Sequence, residues 1–435
     1  MARQRGFVKT LRYNIVTTDK VSALLDNTVS VYKEVVTYYL HVFQENLHII
    51  DSSQWLRMAE MLTHQTKSNP NPKYDYDSTF PHFPSGLRRA AISDAYGLAC
   101  SWQTNYKRWQ KRKQKIAEKN IKRLSEGKKP VRFREHPPLF PTEARDWPTY
   151  YDTECRILDE HHILLKVYTG KAYARRKVAL FQPMVIPEGY EAGSPKLILK
   201  PNGWQLHIPV FLKRQTGLTK VVNLINDPDT RICCVDLGIN RHAVMTIQDV
   251  NGRVLATRII SGKQDNHRRK RYLEKISRLQ KQTKMTPEGQ SFAKDLWTKV
   301  RNFNNNIAHQ VSRQIVDFAK QHGVKIIVFE YLTNLRPENG TRSRRLNRKM
   351  AHWVKGRIFQ YTQYKGLHTG IVTCRVSPKN TSARCPYCGM LTIERYSESG
   401  HGVDLARCSN CGIHGVNSDF VGSYGIGTNF RVKHL

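Results

Sequence analysis

Two Cys-x-x-Cys pairs near the C-terminus have the spacing of a metal site. The pairs are Cys385-Pro386-Tyr387-Cys388 and Cys408-Ser409-Asn410-Cys411, with 19 residues between them. Four thiolates in this pattern suit a tetrahedral structural zinc ion, and the glycine after each pair allows a tight turn over the metal. A redox dithiol is the alternative, although such motifs come singly. A closed four-cysteine site leaves no open position for water, so the predicted zinc ion organises the chain and does not catalyse.

Neighbouring histidines and the remaining cysteines are weaker candidates for this chemistry. His401 and His414 could substitute as ligands, but the four cysteines already complete the predicted site. The other cysteines are predicted to be small buried apolar residues: Cys100, Cys155, Cys233, Cys234 and Cys374.

Three carboxylates stand where predicted elements begin or end. Asp236 and Glu330 each end a short apolar strand, and Asp419 opens the last helix. Carboxylates brought to one point repel each other unless they bind cations, and Mg²⁺ takes such oxygen ligands. Two magnesium ions could clamp the attacking and leaving oxygens of a phosphodiester. Taken singly, each carboxylate could be structural, and Asp419 could be a helix N-cap; the competing acidic residues are Asp249, Asp404 and Glu338.

The elements around these carboxylates predict an RNase H-like α/β domain. Strands are expected at 232–235, 242–248, 253–260, 324–329 and 370–376. Helices are expected at about 264–284, 287–321 and 343–368, with a last helix from about 417. Three antiparallel strands followed by helix-separated strands are the order of that fold, in which the three carboxylates would converge.

The first half of the chain predicts a β domain with a helical insertion. An alternating strand at 7–15 precedes an N-cap at Thr18 and a helix to about 49. After a proline-rich loop at 68–85, an alanine-rich helix runs into a basic stretch that Gly127 and Pro130 end. Strands are then expected near 155–158, 163–168, 196–200 and 204–212, with the N-terminal strand joining their sheet.

The charge of the chain predicts a polyanionic partner. The 435 residues carry 71 Lys and Arg against 35 Asp and Glu, a net charge of +36. The first 100 residues hold 11 basic and 9 acidic side chains, so +34 falls on the remainder. Nucleic acid is the first expectation and an anionic membrane surface the second. The sequence has no apolar run of about 18 residues and no hydrophobic signal core, so we predict neither a membrane span nor secretion.

Three basic runs supply the predicted phosphate contacts. They cover 107–134, 263–284 and 342–357, and aromatic residues that could stack on bases flank them. A solvated helix face is the alternative for any single run. The predicted nucleic-acid contacts are Lys107, Arg108, Lys111, Arg112, Arg132, Arg268, Arg269, Lys270, Arg271, Arg344, Arg345, Arg348 and Lys349.

The motifs around the candidate residues resemble those of the transposon-encoded TnpB family, which is related to compact type V CRISPR effectors. The resemblance is specific over about 230–427 and looser over 1–215. The segments that carry it are Val235-Asp236-Leu237-Gly238-Ile239-Asn240, Phe329-Glu330-Tyr331-Leu332, Thr381-Ser382-Ala383-Arg384-Cys385-Pro386-Tyr387-Cys388-Gly389 and Asn417-Ser418-Asp419.

The resemblance implies an RNA-guided, Mg²⁺-dependent DNA endonuclease that cuts beside a short transposon-adjacent motif. Its catalytic magnesium ligands would be Asp236, Glu330 and Asp419, and its zinc ligands Cys385, Cys388, Cys408 and Cys411. The implied partners are a noncoding guide RNA and double- and single-stranded DNA, in the cytoplasm of a prokaryote at the nucleoid. One departure stands out: the family commonly has Arg-Asp followed by Asn-Ala-Ala, whereas Asp419 lies between Ser418 and Phe420-Val421-Gly422-Ser423.

The same resemblance divides the chain into four parts. A β-barrel-like wedge domain would comprise 1–18 and 126–228, with 19–125 as a helical recognition lobe. A RuvC-like nuclease domain would comprise 229–384 and 412–435, with a zinc ribbon inserted at 385–411.

Two other functions remain open from the sequence. One is a guided repressor or transposition accessory with weak or no nuclease activity. The other is an unguided zinc-ribbon protein that binds nucleic acid without a particular RNA.

Overall fold

A computed structural model describes the protein as two compact units, 1–215 and 216–435. The described residues are 8–67, 69–133, 135–144, 147–151, 153–212, 221–283, 292–332, 335, 337, 343–398 and 404–434. Among them, no helix combines the length and the apolar character that crossing a bilayer requires.

The helices of the first unit pack around an aromatic and alanine-rich core. They are α1 (Asp19–Glu45), a 3₁₀ helix (Leu47–Asp51), α2 (Trp55–Thr63), α3 (Tyr76–Thr79) and α4 (Ser85–Ser125). The Thr18 side chain accepts a hydrogen bond from the Val21 amide, so the predicted N-cap of α1 is confirmed. The fully buried Ala91, Ala95 and Ala99 let α4 approach its neighbours closely.

Two antiparallel sheets complete the first unit. Their strands are β1 (Val8–Asn14), β2 (Cys155–Ile157), β3 (His162–Tyr168), β4 (Tyr173–Ala179), β5 (Tyr190–Ala192), β6 (Lys196–Lys200) and β7 (Gly203–Leu212). β7 pairs with β1, β5 and β6, and the second sheet has the order β2-β3-β4. The pairing of β1 with β7 confirms that the helices are inserted between strands of one sheet. A bridge between Ile15 and Leu180 joins the two sheets, whereas the barrel-like closure stays a prediction.

The second unit is built on a mixed five-stranded sheet with the order β10-β9-β8-β11-β12. The strands are β8 (Ile232–Asp236), β9 (Arg241–Gln248), β10 (Val254–Ser261), β11 (Ile326–Glu330) and β12 (Val372–Val376). β8, β9 and β10 are antiparallel neighbours, whereas β11 runs parallel to both β8 and β12. The expected succession of three antiparallel strands followed by strands separated by helices is therefore confirmed.

Helices cover both faces of this sheet. They are α5 (Val221–Ile225), α6 (Lys263–Thr283), α7 (Lys294–Gln321), α8 (Arg344–Ala351), α9 (Lys355–His368) and α10 (Ser418–His434). Residues on β8 alternate between the two cores: Cys233 and Val235 face the α7 and α9 side, and Cys234 faces the α10 side. Burial on both faces explains why β8 and β11 are continuous apolar runs.

A small antiparallel sheet leads into α10. Its strands are β13 (Ile393–Tyr396), β14 (Leu405–Cys408) and β15 (Val416–Asn417). β14 pairs with both neighbours, so the cysteine-rich segment is tied to the start of the last helix.

The structure differs from the sequence-based expectations at several places, one of which is α3 (Tyr76–Thr79), which lies within the loop expected at 68–85. The helix expected at 343–368 is two helices, because the chain turns at Trp353 and Val354 to place Val354 in the core. Neither Trp353 nor Val354 is a proline or a glycine, and Gly356 lies inside the first turn of α9, so the break was not expected. Residues 221–225, expected with the wedge, contribute Ile225 to the core of the second unit. Strands β4 and β5 were not expected; β4 is mostly exposed, so it lacks a clear apolar alternation.

Candidate functional site

The four predicted zinc ligands lie together. Cys385, Cys388, Cys408 and Cys411 present sulfur atoms that all lie within 4.8 Å of one another. The Sγ atoms of Cys385 and Cys411 are 3.6 Å apart, as are those of Cys388 and Cys408. Thiolates bound to one tetrahedral zinc ion at about 2.3 Å would be roughly 3.8 Å apart, so the cluster fits that ion.

The local surroundings favour a thiolate at Cys408, whereas burial raises the pKa of Cys385 to about 12, and both pairs are followed by tight turns. Hydrogen bonding with the Thr392 hydroxyl, 3.0 Å from the sulfur, and with backbone amides lowers the pKa of Cys408 to about 6. Gly389 and Gly412 have φ angles of 75° and 72°, a left-handed conformation that glycine adopts without strain. His414 lies against Tyr396, with 3.1 Å between Nδ1 and the phenol oxygen. His401 lies outside the described residues.

Asp236 and Glu330 end adjacent parallel strands at the same edge of the sheet. Phe329 pairs with Val235, so the next residue on each strand is a carboxylate at the same level. Burial raises the pKa of Asp236 well above its ordinary value, and repulsion from Glu330 and Asp419 raises it further. Burial also raises the pKa of Glu330, although the hydroxyl of buried Thr381 donates a hydrogen bond of 2.5 Å to it.

Asp419 lies in the first turn of α10 but does not cap that helix. The Asn417 side chain accepts hydrogen bonds from the amides of Asp419 and Phe420, at 3.0 and 3.2 Å. The Asp419 carboxylate instead pairs with Arg241 Nη1 at 2.7 Å. The N-cap alternative for Asp419 is therefore wrong, because Asn417 fills that role and leaves the carboxylate directed to other partners.

A glycine on α10 leaves room for the Asp236 carboxylate. A Cβ atom on Gly422 would lie 2.5 Å from Asp236 Oδ2. The next residue, Ser423, donates a hydrogen bond of 2.8 Å to the Cys234 carbonyl and lies 3.0 Å from the Thr246 hydroxyl. The residues that depart from the TnpB pattern after Asp419 thus hold α10 closely against β8.

Two arginines supply positive charge that the motifs did not indicate. Arg395 on β13 favours the ionised forms of Asp236 and Glu330, opposing the increase in their pKa. Arg241 on β9 pairs with Asp419 and also reaches Asp404, at 3.4 Å. Neither is adjacent in the sequence to one of the three candidate carboxylates, and only the packing of β13 and β9 brings them to the site.

The carboxylates do not form a closed cage. Across the described ranges, the four cysteines are the only group of three or more ligand side chains whose ligand atoms all lie within 4.8 Å. An open set of oxygen donors fits Mg²⁺, which keeps several waters and uses substrate oxygens. The competitor Asp249 accepts a hydrogen bond from the Arg253 amide in its turn, and Glu338 lies outside the described residues.

Most predicted nucleic-acid residues are exposed on helices. The exposed side chains are Lys107, Arg108, Lys111, Arg112, Arg132, Arg268, Lys270, Arg271, Arg348 and Lys349. Arg269 differs because it is buried and hydrogen-bonds Asn304 and Asn266 at 2.8 Å, so it joins α6 to α7. The side chains of Arg344 and Arg345 lie outside the described residues.

The aromatics beside the first basic run have a structural role. The indoles of Trp102 and Trp109 donate hydrogen bonds of 3.0 Å to the carbonyls of Pro138 and Glu135. Trp109 also packs against Phe133. These rings hold the segment after α4 against that helix, and the expectation that they stack on bases stays a prediction.

Comparisons with known proteins match segments of both units of the chain. Models of the Aq_aa04 family and of the Cas12f1-like TNB domain match residues 9–169 and 356–426. The TnpB-like protein aq_aa05 of Aquifex aeolicus is 36% identical over 249 residues, covering 54% of this chain and 77% of that protein. The chain therefore belongs to the TnpB-like family.

More distant relatives extend this result. The CRISPR-associated endodeoxyribonuclease Cas12f1 of Sulfoacidibacillus thermotolerans is 27% identical over 231 residues, 51% of this chain and 49% of that protein. The solved structure of Alicyclobacillus acidoterrestris C2c1 in complex with single-guide RNA has a TM-score of 0.58 at 9% identity, covering 97% of this chain and 88% of that one. The latter likeness establishes a shared fold.

Proposed function

We propose that this protein is an RNA-guided, Mg²⁺-dependent DNA endonuclease that cuts beside a short transposon-adjacent motif. The observation that carries the proposal is the convergence of Asp236, Glu330 and Asp419 at one edge of a mixed sheet, with burial and mutual repulsion raising the pKa of Asp236. Binding of cations would relieve the repulsion between these three carboxylates. Membership of the TnpB-like family and the likeness to Cas12f1, named as an endodeoxyribonuclease, support it.

In this proposal the second unit carries a RuvC-type nuclease domain, 229–384 and 412–435, with a zinc ribbon at 385–411. The wedge would comprise 1–18 and 126–228, and the recognition lobe would comprise 19–125. A noncoding RNA would select the target by base pairing, while the protein holds the backbone of the hybrid. The net charge of +36 supplies the attraction to both nucleic acids. The protein would act on DNA at the prokaryotic nucleoid.

Each residue of the site has a distinct part in the proposed reaction. Divalent cations held there would activate water and stabilise the leaving oxygen of the phosphodiester. Asp236 and Glu330 would hold the cations from adjacent strand ends, and the Thr381 hydrogen bond fixes the Glu330 carboxylate. Arg241 would orient Asp419 through their 2.7 Å ion pair. The four cysteines would hold a zinc ion that fixes the segment carrying Arg395.

The test begins with expression of the gene together with its native flanking DNA. We expect the purified protein to carry one discrete RNA whose end runs into sequence outside the element. That complex should cut a plasmid library matched to the RNA in Mg²⁺ but not in EDTA, with zinc content measured before and after chelation. Heterogeneous cellular RNA fragments would contradict guidance, and a matched target that stays uncut in Mg²⁺ would contradict the nuclease.

The Arg241–Asp419 ion pair favours one alternative, a guided or unguided DNA-binding accessory or repressor with weak nuclease activity. A cation that already pairs with Asp419 competes with magnesium for the same oxygen. This alternative predicts specific DNA binding with little or no Mg²⁺-dependent cleavage. The same plasmid assay separates the two functions.

Gly422→Ala is expected to lower the cleavage rate by about 100-fold with little loss of fold. The added Cβ would lie 2.5 Å from Asp236 Oδ2, so the carboxylate must move, and displacements of about 1 Å in an active site have costs of this size. Single-turnover cleavage measures the effect. Gly97→Ala is the control because no atom lies within 4 Å of its added Cβ, and unchanged cleavage by Gly422→Ala would contradict the assigned role of Asp236.

DNA binding is expected to weaken steeply with salt. If the exposed lysines and arginines neutralise about 8 phosphates of duplex DNA, the log–log slope of affinity against salt is roughly −7. The slope is measured by fluorescence anisotropy of a labelled duplex at salt concentrations from about 50 to about 300 mM. An affinity that does not respond to salt would contradict a phosphate-based interface.

A further inference from the structure

A rigidly held arginine lies in the cleft beside Glu330. The Arg375 guanidinium on β12 is 4.3 Å from the centre of the Phe359 ring and 4.8 Å from that of Tyr331. Arg375 is exposed, and none of the described carboxylates forms an ion pair with it. Two flanking rings restrict the guanidinium while leaving its edges open to an anion.

Arg375 lies at the junction of two clefts. The first, of about 570 Å³, is lined by Glu330, Tyr331 and Arg375, together with Gln360 of α9. The second, of about 760 Å³, also contains Tyr331 and Arg375 and continues past Ser377 to Lys433. Cavities of these sizes accept small organic ligands such as a nucleotide unit.

The lining of the clefts suits a single nucleic-acid strand. Tyr331 keeps 44% of its surface exposed, so its ring can stack on an unpaired base. The Tyr331 amide donates a hydrogen bond of 2.8 Å to the Val376 carbonyl, which ties the backbone at Tyr331 to the end of β12. Arg375 and Lys433 are positive, and arginine binds phosphate oxygens in a bidentate manner.

We propose that these two clefts hold the two nucleotides that adjoin the scissile phosphodiester on one side, with Arg375 binding the phosphate between them. The Tyr331 ring stacks on the base in one cleft. The inference rests on the proposed function, because it takes Glu330 as the position of cleavage and the cut DNA strand as the occupant. None of the basic runs in the sequence includes Arg375 or Tyr331, so this subsite is separate from the charged helices.

Photocrosslinking tests the subsite without requiring cleavage. Target strands carrying one 5-iododeoxyuridine at successive positions are bound to the full chain with its co-purified RNA in Mg²⁺-free buffer and irradiated. Mass spectrometry is expected to locate a crosslink at Tyr331 from one or two adjacent positions. Arg375→Gln should lower its yield by roughly 10-fold or more, the effect of losing a charged hydrogen bond.

Arg258→Gln is the matched control. Arg258 is also an exposed arginine over a ring, 5.8 Å from the centre of Phe318, but on the opposite edge strand of the sheet. Arg258→Gln should leave the yield of the crosslink at Tyr331 unchanged. Thermal unfolding of Arg375→Gln checks that the variant is folded, and Arg375→Lys, which keeps the charge but loses bidentate geometry, should give an intermediate yield.

A neutral linkage provides a second measurement. A methylphosphonate at the phosphate that contacts Arg375 should slow cleavage by the unmodified protein roughly 10- to 100-fold and have little further effect on Arg375→Gln. Cleavage with no crosslink between the target strand and Tyr331 would overturn the subsite alone. A crosslink at Tyr331 that depends on Arg375, without any cleavage in Mg²⁺, would support the subsite and reject the nuclease.

Discussion

Asp236→Asn is expected to lower target cleavage by about 10³-fold or more while RNA binding persists. Asp236 is the carboxylate repelled by both Glu330 and Asp419, so its loss removes the central oxygen donor of the proposed cation site. Asparagine keeps the size of the side chain and its packing against Gly422. Cleavage of a matched plasmid at saturating Mg²⁺, with the bound RNA quantified in parallel, measures the effect.

The control for this variant is Asp249→Asn, because asparagine can still accept the 2.8 Å hydrogen bond from the Arg253 amide. It should cut as fast as the unmodified protein. Undiminished cleavage by Asp236→Asn would remove Asp236 from the site, and equal losses in both variants would indicate a general effect on the fold.

The same substitution is expected to stabilise the protein in Mg²⁺-free buffer at neutral pH. Burial raises the pKa of Asp236 in the folded state, so its ionised form opposes folding once the pH exceeds the unfolded value of about 3.9. If asparagine removes about 1 kcal/mol of this unfavourable free energy, the melting temperature of a unit of this size rises by roughly 2–4 °C. The gain should shrink as the pH falls and vanish below about pH 3, where the carboxyl is protonated in both states.

Cys385→Ser is expected to release the zinc ion and destabilise the second unit by on the order of 3–5 kcal/mol. Cys385 is fully buried in the cluster, and serine cannot supply the thiolate that zinc requires. Cleavage should fall at least about 100-fold, because β13 carries Arg395 and the adjoining segment carries Thr381, whose movement displaces the contacts of Glu330. Zinc per chain by elemental analysis and thermal unfolding measure the two effects.

Cys100→Ser is the control, since Cys100 lies on α4 in the first unit and outside the cluster. It should retain the full zinc content. A Cys385→Ser protein that keeps its zinc would show that another residue supplies the ligand, and one that loses zinc but cuts normally would separate the metal from the nuclease site.

Local spacing was sufficient to predict the cysteine cluster. Two ligands in each pair are fixed by a short turn, and the glycines after Cys388 and Cys411 permit that turn, so little depends on distant packing. The strand-end carboxylates were predictable for a related reason. Asp236 and Glu330 follow apolar runs that can only be buried strands, and parallel strands place their ends together.

The aromatic residues near the basic runs show where composition does not decide a role. A tryptophan between lysines fits a base-stacking surface as well as it fits a packing contact. The packing contact depends on a segment 26 to 36 residues later, which returns along α4 and accepts hydrogen bonds from Trp102 and Trp109. Arg269 is similar, since its position on the buried side of α6 depends on Asn304 of the next helix.

By itself, the sequence determined the spacing of the four cysteines, the succession of strands and helices and the excess of positive charge that predicts a polyanionic partner, because these depend on spacing, periodicity and composition. Only the tertiary structure decided which groups surround the carboxylates. Arg241, Arg395 and Gly422 come from three different elements. Their approach to the carboxylates is set by how strands and helices pack over long sequence separations, and the short motifs contain no record of that packing.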